Sequence, residues 1–178
     1  YGRLVYNGNT FTPISSLSDA IRKQTIVING VSKTYAMTGW RVGFAVGEPE
    51  IISGMAKIIS QTTSNLTSVS QYAAIEALTG DQSSIEEMRK AFEERLNTIY
   101  PLLAEVPGFE VIKPQGAFYL FPNVKKAMEI KGYTDVNDFT NAILEEAEVA
   151  LVTGAGFGAP ENIRLSYATD LDILKEAV

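Results

Sequence analysis

Thr25-Ile-Val-Ile28, followed by Asn29-Gly-Val-Ser-Lys-Thr-Tyr-Ala-Met-Thr-Gly-Trp-Arg-Val-Gly43, is the stretch on which the reading of the fold turns. A short β-branched run without polar alternation predicts a strand buried on both faces, as in parallel sheets beneath helices. Asn29-Gly30 ends that run, and residues 31–38 are rich in small and hydroxyl side chains. Residues 40–46 resume as a strand, in which Gly43 permits close backbone approach. Lys33 then lies just past the C-terminal end of a buried strand, where open α/β sheets place their ligands. Taken alone, Lys33 also reads as a loop lysine on a surface turn. Arg41 shifts the balance: between Trp40, Val42 and Phe44, in an otherwise apolar strand, a guanidinium must find an anion or a carboxylate.

Outward from this stretch, Pro49 fits the first turn of a helix over 49–60, with Ile51, Ile52, Met55, Ile58 and Ile59 on its apolar face. A polar tract covers 60–65, and helical spacing returns over 69–78 with Gly80 as C-cap. Ser83 and Glu86 have capping-box spacing; Ile85, Met88, Phe92, Leu96, Ile99 and Leu103 then step by three or four, predicting one helix of about twenty residues. Upstream, Tyr6-Asn-Gly-Asn9 is a turn signal. Beyond Pro107-Gly108 the pattern gives strands at 109–112 and 117–121, helices at 124–130 and 136–147, and strands at 149–152 and 162–168. The expected architecture is an α/β first part, a long connecting helix and an α+β second part. The chain opens on Tyr1 rather than Met, and a helical pattern from Asp170 stops at Val178 after barely two turns, so it reads as a piece of a longer protein.

The 178 residues are 46% hydrophobic and 20% charged, ordinary for a globular protein. A chain of this length buries roughly 70% of its unfolded surface and needs neither disulfide nor metal to hold a core. There is no His and no Cys, which excludes a Ser-His-Asp triad, a Cys nucleophile and every zinc site built on imidazole or thiolate. The net charge of -6 leaves no overall basic surface for nucleic acid or an anionic membrane, although a small anion can still bind locally. No apolar run approaches the roughly 20 residues of a membrane span, and the expected compartment is the cytoplasm.

The lysine and the arginine have a joint use. A nucleophilic amine must lose its proton, which a neighbouring guanidinium favours, and a guanidinium binds phosphate through two parallel hydrogen bonds. A carbonyl compound with a phosphate handle satisfies both, and pyridoxal phosphate has that description.

Ser32-Lys-Thr-Tyr-Ala-Met-Thr-Gly-Trp-Arg-Val-Gly43 resembles the lysine motif of the class I and II pyridoxal-phosphate aminotransferases of fold type I, aspartate aminotransferase-like. The resemblance runs over essentially the whole chain. It implies that residues 1–82 end a large cofactor-binding domain with a mixed, mostly parallel sheet, and that 83–178 form the connecting helix and a smaller α+β domain truncated at its last helix. It implies Lys33 as the Schiff-base lysine and general acid/base, Arg41 on the cofactor phosphate, and Ser32 beside that phosphate, although many relatives have a further serine where this chain has Gly30. Tyr1-Gly-Arg-Leu-Val-Tyr-Asn-Gly8 is similar to the segment after the family's Asp-Glu-x-Tyr, so Tyr1 becomes the phenol that hydrogen-bonds the cofactor's ring oxygen; it reads equally as a frayed terminal aromatic. Thr63-Ser-Asn65 through Gln71-Tyr-Ala-Ala-Ile-Glu-Ala-Leu78 resembles the helix pair near the interface of the family's homodimer. Gly116-Ala-Phe-Tyr-Leu-Phe121 resembles the first hairpin of the small domain. Asn162-Ile-Arg-Leu-Ser-Tyr-Ala168 resembles the strand whose arginine, here Arg164, binds the substrate α-carboxylate. Without the family, Arg164 in a half-buried alternating strand reads either as a carboxylate fork or as an internal salt bridge.

The family implies amino acid and 2-oxo acid substrates, of which an aspartate-type donor is favoured by overall resemblance only. Its aspartate on the pyridine nitrogen, its asparagine, its stacking aromatic and its phosphate loop all lie upstream of Tyr1, so the isolated 178 residues are expected to be inactive. Two rival readings are a Ser-Lys hydrolase using Ser32 and Lys33, disfavoured because adjacent extended residues point opposite ways, and a non-catalytic oligomerisation module. Gly154-Ala-Gly-Phe-Gly158 has the wrong spacing for a dinucleotide loop and precedes a strand.

Overall fold

The computed structural model describes residues 1–178, which form two compact units. The first comprises Tyr1–Arg3 and Gly8–Met88, the second Leu4–Asn7 and Arg89–Val178.

In the first unit, α1 (Asp19–Lys23) is capped by the Ser18 hydroxyl, which accepts from the Ile21 N–H. Strands β1 (Val27–Gly30) and β2 (Gly43–Val46) pair antiparallel, from Val27 opposite Val46 to Gly30 opposite Gly43. This corrects two expectations. The strands of this stretch are not parallel, because the chain doubles back between them without the helical crossover that parallel neighbours require. Nor is β1 covered on both faces: Ile28 is 71% exposed, and Val46 on β2 is exposed as well. Asn29 and Gly30, read as the end of the strand, lie inside its ladder. Residues 40–42 are not strand either, since a 3-10 turn at Thr38–Trp40 leads into Arg41 in the left-handed region, φ 55°.

Helix α2 (Pro49–Thr62) starts at its proline and runs two residues beyond the predicted end. Its apolar face is covered only in part, with Ile52 and Met55 half-buried but Ile51, Ile58 and Ile59 exposed. Helix α3 (Ser68–Thr79) is capped by Thr67, and Gly80 closes it in extended rather than left-handed conformation, its N–H donating to Glu76 O at 2.8 Å. Helix α4 (Ser83–Ala104), whose residues fall in the first unit up to Met88 and in the second from Arg89, begins one residue earlier than a capping Ser83 predicts. The Asp81 carboxylate accepts from the Ser83 N–H at 3.2 Å and from the Ser83 hydroxyl, satisfying a donor of the helix N-terminus. These two bonds hold the Asp81 carboxyl below the usual aspartate range. The helical period is as expected over 22 residues, with Ile85, Phe92, Leu96, Ile99 and Leu103 buried.

In the second unit, β3 (Tyr119–Leu120), α5 (Lys125–Lys131), α6 (Val136–Ala147), β4 (Val152–Thr153), β5 (Ile163–Ser166) and α7 (Leu171–Glu176) follow in order. The sheet runs β3-β5-β4, all antiparallel. The strand expected over 109–112 contracts to a single bridge between Glu110 and Asn123. Val124, Ala127, Met128, Val136, Phe139 and Ile163 form one core cluster, because α5 and α6 turn their apolar stripes toward the inner residue of β5. Tyr6 and Tyr167 are fully buried, and both hydroxyls donate to the Ala117 carbonyl oxygen. Burial is the main cause that pushes both phenols well above their ordinary range. No helix is long and apolar enough to cross a membrane.

Candidate active site

The link between β1 and β2, residues 31–42, is tightly pinned. Val31 is fully buried and its N–H donates to Val42 O at 3.3 Å; Tyr35 N–H then donates to Val31 O, and Ala36 N–H to Lys33 O, each at 3.2 Å. Thr34 is buried beside Val31 in sequence, whereas Ser32 and Lys33 stay half-buried. Alternating anchors thus fix the backbone that carries the two candidate groups.

Tyr1, Asn29, Gly30, Ser32, Lys33, Arg41, Val42 and Gly43 line one cleft of about 350 Å³ in the first unit. Four of the five residues singled out from the sequence therefore come together. Arg41 does so differently from the expectation: it is exposed at a left-handed turn, not buried in a strand, and its Nη1 donates to Thr38 O at 3.1 Å. A left-handed residue with a side chain costs roughly 1–2 kcal/mol, and such strain is concentrated where a site needs it. The lining carries an amine, a guanidinium, a serine hydroxyl and a phenol, with no carboxylate among them. That donor set suits an anionic group with a carbonyl carbon, and pyridoxal phosphate fits it.

Sequence reasoning missed Asn29 as a lining residue, having read it only as a strand terminator; its Oδ1 accepts from the Gly30 N–H. It also missed Gln82, whose Oε1 accepts from Arg3 Nη1 at 2.7 Å and from the Tyr35 hydroxyl at 3.3 Å. The Gln82 Nε2 donates to Ala77 O and Gly80 O, so one carboxamide joins the lysine loop to the α3–α4 connection. No local pattern marks such a residue.

Arg164 belongs to the second unit, half-buried on β5 next to the fully buried Ile163. Its guanidinium lies over the Tyr119 ring, 4.7 Å from the centroid, and over the Phe157 ring at 4.9 Å. It is held by aromatic faces rather than by the internal salt bridge that was its other reading.

The chain belongs to the family of class I and II aminotransferases, whose family model matches residues 1–178. Pyridoxal phosphate is the cofactor of this family's aspartate aminotransferases. An asparagine–oxo-acid transaminase of Streptococcus mutans is 76% identical over 178 residues, all of this chain and 45% of the relative. The aspartate aminotransferase of Bacillus subtilis is 55% identical over the same 178 residues, again 45% of its length. Among solved structures, the aspartate aminotransferase from Rhizobium meliloti superposes with a TM-score of 0.89 at 37% identity, covering 99% of this chain and 46% of that one. The chain thus spans a little under half the length of the relatives it matches. The mixed helix and strand content agrees with these neighbours, and none of them lends support to a hydrolase or a non-catalytic module.

Proposed function

We propose that the protein to which these 178 residues belong moves an amino group between an amino acid and a 2-oxo acid, with pyridoxal phosphate held at Lys33. The observation that carries the reading is the single cleft lined by Tyr1, Ser32, Lys33 and Arg41. When bound, the cofactor supplies an aldehyde that captures amines and a ring that withdraws electrons from the amino acid's α-carbon. The Lys33 Nζ would hold the cofactor through its aldehyde, and as a free amine it would serve as the acid and base that moves the proton of the amino acid's α-carbon. Arg41 would hold the phosphate through its planar fork, with the Ser32 hydroxyl as a further donor to that group and the Tyr1 phenol as a donor to the ring oxygen. Arg164 binds the substrate α-carboxylate. In this reading residues 1–82 end the large domain, and 83–178 supply the connecting helix and the small domain.

The substrate class we favour is a four-carbon amino acid, aspartate or asparagine, supported by what the relatives at 76% and 55% identity are named for. A homodimer in the cytoplasm belongs to the same proposal; the exposed apolar residues of α3, among them Val69, Tyr72 and Ile75, support a second copy as neighbour. Because the chain spans 45% of those relatives, the isolated 178 residues are proposed not to transaminate. The test is amino transfer from aspartate and from asparagine to 2-oxoglutarate, measured on the protein at its natural length and on the 178-residue chain. Turnover by the first, abolished in Lys33→Ala, is expected. Robust turnover by the 178 residues alone would overturn the claim about the isolated chain.

A further inference from the structure

Phe157 is a large ring, 54% exposed, on a surface turn. Its contacts are specific. It stands edge-on to Phe121, with centroids 6.0 Å apart and planes at 87°, and it faces the Arg164 guanidinium at 4.9 Å. The turn that carries it is rigid, since Gly154 N–H donates to Asn162 O at 2.7 Å and Ala159 N–H to Gly154 O at 3.0 Å. On the β3 strand, Tyr119 offers Arg164 a second ring at 4.7 Å, and its register opposite Ser166 fixes where that ring stands.

An arginine side chain has many rotamers, and its five N–H donors lie in the guanidinium plane. A guanidinium whose carbon lies 4.7 and 4.9 Å from two ring centroids is held by both faces, which restricts its rotamers without consuming a donor. A salt bridge would do the opposite, holding the fork by occupying it. The geometry points to Phe157 as a positioning residue: with Tyr119 it sets the plane of Arg164 so that the fork edge is presented to an amino acid's α-carboxylate. The inference rests on the reading of Arg164 as the carboxylate-binding arginine, and deepens it by assigning what holds that arginine.

The test uses the pyridoxal-phosphate-loaded protein at its natural length, with succinate as a non-reacting carboxylate probe followed by calorimetry, alongside KM and kcat for the amino acid donor. Phe157→Ala and Phe157→Leu are each expected to weaken succinate binding and raise KM by about 5- to 30-fold, with kcat moving far less. Phe157→Tyr, which keeps the ring, restores both. The leucine variant keeps an apolar side chain on the turn, so a fold defect confined to the alanine variant leaves the inference testable. Arg164→Ala is expected to remove succinate binding altogether. Wild-type succinate binding and KM in Phe157→Leu, with binding still lost in Arg164→Ala, overturns the role of Phe157 alone. Succinate binding that survives Arg164→Ala, or that is absent from the wild type, overturns the reading of Arg164 itself.

Discussion

Two glycines of the turn before β5, two residues apart, should respond in opposite ways to the same substitution. A Cβ built on Gly154 meets Ala159 O at 2.2 Å, Asn162 O at 2.5 Å and Asn162 C at 2.9 Å, all backbone atoms that cannot swing aside. Gly154→Ala must therefore open the turn and stretch the bond from Gly154 N–H to Asn162 O, now 2.7 Å. Overpacking of this kind costs about 1–3 kcal/mol, and a weakened hydrogen bond adds about 1 kcal/mol. The reduced entropy of the unfolded chain returns about 0.4–1 kcal/mol. The net expectation is a loss of roughly 1–3.6 kcal/mol. A Cβ on Gly156 meets nothing within 4 Å, so Gly156→Ala keeps only the entropic term and is expected to lie between neutral and about 1 kcal/mol more stable. Urea unfolding followed by far-UV circular dichroism measures both, read from midpoints at unchanged slope. If Gly154→Ala falls within about 0.5 kcal/mol of wild type, or the two variants coincide, the steric reasoning fails.

The buried phenols and the cap of α4 give two more expectations. Tyr6 and Tyr167 are raised above the ordinary phenol value of 10.0 by burial, so the folded chain keeps protons that the unfolded chain releases. Stability should thus be full below pH 10 and fall as pH rises above it, and Tyr167→Phe should flatten that alkaline decline while costing about 1 kcal/mol at neutral pH. For Asp81, a carbon-detected NMR titration should find the carboxyl below the usual aspartate range, with the contribution to the α4 N-terminus lost as pH falls through that lowered value. Ser83→Ala should move the midpoint up, since the hydroxyl is the larger cause; an unmoved midpoint would contradict the assignment.

Much of this was legible locally, and the failures have physical causes. Period and punctuation located α2, α4 and α6, because an amphipathic stripe and a proline at the first turn act within a few residues of themselves. The direction of β1 and β2 was not legible: an apolar run states that a strand exists but not which neighbour it takes. The same run misled about burial, since Ile26 and Ile28 are apolar yet exposed. At the candidate site, Lys33 and Arg41 were found by their chemistry, but the left-handed turn at Arg41 was hidden by apolar neighbours that mimic a strand. Gln82 and Phe157 act through contacts distant in sequence, to Arg3 across 79 positions in one case and to Phe121 in the other, and no spacing rule reaches them.

The central claim is that this chain carries the lysine that holds the cofactor. Its most direct test is to load the natural-length protein with pyridoxal phosphate, make the carbonyl–amine linkage permanent with sodium borohydride, and map the modified peptide by mass spectrometry. The account predicts one phosphopyridoxyl group on Lys33, absent in Lys33→Ala and diminished in Arg41→Ala. A label on another lysine such as Lys57, or equal labelling of Lys33→Ala, would contradict it.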